Sequence, residues 1–302
     1  MVDLFFILSG FVLAPVFPRY RELKSLREFV VKRFLRLAPL TWITIMFVLV
    51  YAGAIEIKQT LSDDATAQSM SIDFQSIVLS LLLLQVFSNE ANLLNYPLWS
   101  LSAEWIVNIV IAILASLFPK RVYLYFLVGL LLLGIISARS PVDPEWSNQI
   151  CRAAFGISLG IFLRYIFDLR LKPKAQKLHL AISSVFSLAV VFLKFDYGPY
   201  QAIFSCLVFA YLIYSVAKFE VEKNLRVPES IARNSGVLSF GIFVWHAPLS
   251  GLVSRLIEIA QVHNLGIFYL ALVLISSMAT LISVNFAEKP ILKTLKGRLE
   301  TK

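Results

Sequence analysis

The chain has 302 residues, 58% hydrophobic and 16% charged, with a mean hydropathy of +0.76 and a formal charge of +9. Its apolar residues come in long runs rather than alternating with polar ones, which excludes a soluble globular domain and points to a polytopic membrane protein. The positive charge is gathered in a few connecting segments, a pattern that sets orientation and attracts the lipid bilayer surface, and argues against nucleic acid as a partner.

The first element, VDLFFILSGFVLAPVF, has no basic flank before it and no A-x-A-like cleavage site after it, so it reads as a mature span and not as a secretory signal. Further apolar segments follow at about 37–55, 73–90, 98–118, 122–138, 149–167, 178–195, 199–217, 235–254 and 266–286. No internal repeat, low-complexity tract or long loop interrupts them. They predict an all-α fold, one polytopic helical bundle over residues 1–302 with nine or ten transmembrane helices and one candidate re-entrant segment.

Four stretches are rich in Lys and Arg: PRYRELKSLREFVVKRFLR, DLRLKPKAQK, the 218–233 connector and the tail KPILKTLKGRLETK. Short basic loops stay inside, so all four, with the carboxyl terminus, are expected to be cytoplasmic. Five apolar segments separate the first two basic stretches, and an odd number of crossings would put them on opposite sides. The conflict disappears if region 73–118 makes one net crossing, with one of its two pieces re-entrant or interfacial, which also places Lys120 and Arg121 inside. The same count places Met1 outside; a cytoplasmic amino terminus would need one more helix upstream.

Three groups of polar residues interrupt the apolar runs. In LWSLSAEWIVNIVIAIL, Ser100, Glu104 and Asn108 are four apart and share a helical face, with Ile106, Val107, Val110 and Ile111 expected elsewhere. An ionisable group inside a span is a functional hypothesis by default; Ser and Asn stripes equally glue helices together, so both readings stand. In SGVLSFGIFVWHAPLSGLVS, Ser239, His246 and Ser250 share a face, and Pro248 loosens the helix upstream of it. His246 is the histidine set well inside an apolar run; it reads either as a satisfied interior group or as an acid–base residue. In FVVKRFLRLAPL, Arg33 and Arg36 are three apart beside Lys32, placed to fork onto phosphate oxygens or to anchor the span at the inner surface. Arg152, Gly156, Gly160 and Arg164 share a face that suits close helix packing with charged ends. Cys151 and Cys206 have no spacing that would make a disulfide framework or a metal site, and no metal is expected.

VDLFFILSGFVL, KRFLRLAPLTW, LWSLSAEW, SFGIFVWHAPL and FAEKP, in this order along nearly the whole chain, resemble the signatures of the membrane-bound acyltransferase family 3. The resemblance implies transfer of an acyl group, commonly acetyl, from acetyl-CoA or another acyl-CoA to a hydroxyl of a cell-surface carbohydrate, in a bacterial inner (plasma) membrane. Acyl-CoA would be a co-substrate, with no permanently bound cofactor. Carried over by motif, Arg33 and Arg36 belong to the acyl-CoA side; Asp3, Glu104 and His246 become catalytic candidates; Ser9, Trp99, Ser100, Ser102, Asn108 and Ser239 would line a polar path. Family members usually begin with a helix carrying a basic residue and, about ten residues later, a histidine thought to be the catalytic base. This chain matches the pattern from the position after that helix, so the reading is of a family domain lacking its first helix. A transporter or flippase for a glycan- or lipid-linked substrate is the alternative, since buried charge also fits a substrate path, and an inactive fragment is a third reading.

Overall fold

The computed structural model describes residues 2–19, 22–62, 72–88, 94–118, 120–139, 145–168, 176–193, 200–223, 227–261 and 264–300. Met1, His263, most of the basic stretch after Asp168 and the side chain of Arg121, which the charge reading also used, lie outside the described residues. The helices are α1 (Val2–Leu13), α2 (Leu23–Ser62), α3 (Phe74–Leu81), α4 (Leu98–Leu117), α5 (Lys120–Arg139), α6 (Glu145–Asp168), α7 (Gln176–Phe192), α8 (Gln201–Lys223), α9 (Glu229–Ile259), α10 (Leu265–Ser283) and α11 (Lys289–Glu300). Among the described residues, seven helical stretches are long and apolar enough to cross a membrane, and Tyr123–Ala138 and Gln176–Phe192 are shorter apolar helices. The protein is a polytopic helical membrane protein, as its composition requires.

Two compact units divide the chain. One comprises Met1–Val30 and Ser100–Arg226, the other Val31–Trp99 and Val227–Lys302. In the first, α1 lies along α6 in parallel register: Asp3 meets Arg152, Phe6 faces Gly156, and Phe11 stacks edge-on against Phe167 with centroids 5.6 Å apart. Small residues allow the approach, because a Cβ on Gly10 would run into the Ile157 carbonyl and one on Gly160 into the backbone of Ile7 and Phe11. The face bearing Gly156 and Gly160 therefore packs as its sequence suggested. α5 lies antiparallel to α6, with Ser137 donating to Asn148 at one end and Lys120 over the Tyr165 ring at the other. Ile7, Phe11, Phe155, Cys206, Phe209, Ala210 and Ile213 fill the core between α1, α6 and α8.

In the second unit, α9 and α10 pack through Trp245, Leu249, Val253 and Leu272, and Ile45 and Val48 of α2 close over Leu94. The α2 helix starts at Leu23, well before the apolar run at 37, because the basic stretch LKSLREFVVKRFLR is built of strong helix formers. Pro39 sits inside this 40-residue helix.

The segment after Asp73 is too short to cross as a helix. α3 has eight residues, about 12 Å of helix against the roughly 30 Å of a bilayer core. Leu83 then takes a left-handed conformation (φ 58°), a 3₁₀ turn follows at Gln85–Phe87, and Ser88 returns to within 2.8 Å of Ser76, oxygen to oxygen. The irregular backbone is satisfied by protein: Trp42 Nε1 donates to the Leu81 carbonyl (2.8 Å) and Gln85 Nε2 to that of Ser80 (3.3 Å). The direction of α6 agrees with the doubling back. If every other helix from α1 to α6 crosses in turn, α6 runs parallel to α1 only when α3 makes no net crossing.

Candidate functional site

Each unit carries part of the polar machinery read from the sequence. In the first, both oxygens of Asp3 are held by one guanidinium, Arg152 Nε to Oδ1 at 2.6 Å and Nη2 to Oδ2 at 2.7 Å. The carboxylate is 2% exposed and the arginine 39%. This fork-on-fork geometry ties α1 to α6. Six residues further along α1, Ser9 meets Asn108 of α4, whose Nδ2 is shared between Ser9 Oγ (3.3 Å) and Glu104 Oε1 (3.4 Å). Ser9 and Glu104, from two separate signatures, thus join with Asn108 in one chain of contacts. Ser100, Ser102 and Asn108 are buried and Glu104 is half-buried. Val107 and Ile111, expected away from this stripe, are buried too, whereas Val110 is exposed. The Oδ1 of Asn108 is buried and accepts no hydrogen bond among the described residues.

In the second unit, Arg33 is half-buried and Arg36 exposed, one helical turn before Pro39, which has no N–H to give the Leu35 carbonyl. Trp99 is buried and Ser239 is exposed. His246 is half-buried, and its Nδ1 lies 2.7 Å from the Phe243 carbonyl. A carbonyl can only accept, so Nδ1 carries the proton, and in the neutral ring Nε2 carries the lone pair.

Asn95 was missed by the sequence reading. Pro248 removes the N–H that would bond the Val244 carbonyl four residues back, and Asn95 Nδ2 supplies the lost donor at 3.0 Å while lying 3.5 Å from Thr44 Oγ1. The amide therefore spans α2 and the loosened turn of α9 that carries Trp245 and His246. The proline was the signal that could have found it, because a proline inside a buried helix creates an orphan acceptor that something must satisfy. FAEKP has a related cause. Pro290 cannot donate to Phe286, and the chain widens to a π-helical turn at Val284–Glu288 before α11.

A polytopic helical membrane protein carrying these ordered motifs belongs to the acyltransferase domain family, whose match runs over residues 1–284. The FAEKP stretch lies just beyond the matched residues. Among curated proteins the chain is similar to the peptidoglycan O-acetyltransferase OatA of Listeria monocytogenes serovar 1/2a, 23% identical over 290 residues, covering 86% of this chain and 46% of that protein. The chain thus spans less than half the length of this relative. No solved structure matches.

Proposed function

We propose that the protein is a membrane O-acyltransferase that moves an acyl group, acetyl in the simplest case, from acyl-CoA to a hydroxyl of a cell-surface carbohydrate. The family match across residues 1–284 carries the reading, and the name of the Listeria relative supports acetyl and a polysaccharide acceptor. Arg33 and Arg36 are the residues suited to the CoA phosphates, since two guanidiniums a turn apart offer forked donors that do not titrate.

In the reaction the acceptor oxygen attacks the thioester carbonyl. A C–O bond forms, the C–S bond breaks, and the hydroxyl proton ends on the CoA thiol. His246 Nε2 is proposed to take that proton and pass it on, with its tautomer fixed by the Phe243 carbonyl.

The test is acyl-CoA-dependent labelling of a carbohydrate acceptor by the purified protein in liposomes. Arg36→Ala should raise KM for acyl-CoA with a smaller effect on kcat, and His246→Gln should lower kcat by about a hundredfold or more. Full turnover in both variants would remove these roles. Acceptor flux without acyl-CoA would favour the transporter reading instead.

A further inference from the structure

Lys218, in the first unit, is buried with no counter-charge among the described residues. Lys218 of α8 is 9% exposed, and its Nζ donates to the Phe167 carbonyl (2.8 Å) at the end of α6. It sits 4.2 Å from the Phe167 ring centroid and 5.6 Å from that of Tyr214. Among the described residues no carboxylate pairs with it. Asp168, one residue beyond Phe167, is taken by Arg164 at 3.1 Å, and Glu222, one turn on, is exposed. The following stretch, 169–180, contains no acidic residue and adds Arg170, Lys172, Lys174 and Lys177. A carbonyl and two rings stabilise an ammonium only partly; a buried charge ordinarily requires an anion.

Two further cations lie around the same helix end. Arg164 is 5.4 Å from the Phe11 and Phe167 rings, and Lys120 at the start of α5 is 5.3 Å from the Tyr165 ring. On α6, α8 and the start of α7, which packs against α8, large apolar side chains are exposed, Ile166 and Val216 each at 46% and Leu178 at 59%. In a bilayer, outward apolar side chains meet acyl tails, whereas cations resting on aromatic rings at a helix end meet headgroups.

We infer that the end of the first unit formed by Lys120, Arg164 and Lys218 binds the phosphate of an anionic phospholipid, whose tails run along Ile166, Leu178 and Val216. The lipid supplies the anion that Lys218 lacks, and the site is independent of the acyl-transfer reading. Burial on the protein side and apolar exposure on the other favour a lipid over a soluble phosphate.

The experiment uses the full chain in detergent, titrated with phosphatidylglycerol, phosphatidylcholine, inorganic phosphate or CoA, and read by thermal melting and native mass spectrometry. Phosphatidylglycerol should raise Tm and remain bound in preference to phosphatidylcholine. Lys218→Gln should cut that preference about fivefold, and Lys120→Gln with Arg164→Gln should do so again without touching the buried position. Equal retention of the two lipids would overturn the site, as would an unchanged preference in Lys218→Gln. Protection by inorganic phosphate or CoA but not by the lipid would overturn the choice of occupant. Should Lys218→Gln fail to fold, the paired rim substitution decides by the same preference.

Discussion

Single side chains hold the strained points of this structure. Asn95 is the clearest, because the donor it gives Val244 replaces one that Pro248 cannot provide. Asn95→Ala should leave a buried carbonyl unpaired and lower stability by about 1–3 kcal/mol, measured as a fall in thermal midpoint in detergent. Restoring the backbone donor with Pro248→Ala in the same chain should recover much of that loss, which a merely space-filling asparagine would not show. Arg152→Ala should be worse tolerated than its partial exposure suggests, since it strands the Asp3 carboxylate in the interior. A loss of about 2 kcal/mol is expected, less than for a fully buried pair because the guanidinium is already partly solvated. Asp3→Asn with Arg152→Gln should melt higher than Arg152→Ala alone. At this scale the sequence showed which residues were unusual for a membrane interior, Glu104, Asn108 and His246 among them, while Asp3 came from its motif alone. It did not show their partners, because Asp3 and Arg152 are 149 positions apart and pairing depends on packing.

At the scale of elements, the first signature is chiefly a docking seam. Within VDLFFILSGFVL, Asp3 binds Arg152, Ser9 meets Asn108, and Gly10 lies against the Ile157 carbonyl. Gly160→Leu should therefore separate α1 from α6. Because the obstacle is backbone and not a movable side chain, the expected result is poor folding or an early, broad melting transition, whereas Gly53→Leu, where a Cβ would meet open space, should be silent. The long α2 makes a related point. Periodicity and helix propensity predict a helix in its basic half and in its apolar half, but their continuity through Pro39 depends on the buried packing of the turn around it, with Leu37, Ala38 and Leu40 all at 5% exposure or less.

For the whole molecule, the decisive feature is the number of crossings. If 73–88 enters and returns, single cysteines at Ile72 and Ser88, placed in a background with Cys151 and Cys206 changed to Ser, should react with an impermeant maleimide from the same side of sealed vesicles; labelling from opposite sides would show that the segment spans. The sequence by itself determined that the protein lives in a bilayer, because the density of apolar residues and the placement of charge are local properties that need no partner. It also carried the family signatures, and the parity of its basic loops is met most simply if one apolar piece of region 73–118 falls short. Only the tertiary structure showed that 73–88 holds a short helix that doubles back, that α1 and α6 run side by side, and that Asn95 serves the helix broken by Pro248. Those facts arise from contacts between residues far apart in the chain, where backbone groups freed by proline or by a short helix take whatever donors packing brings within reach.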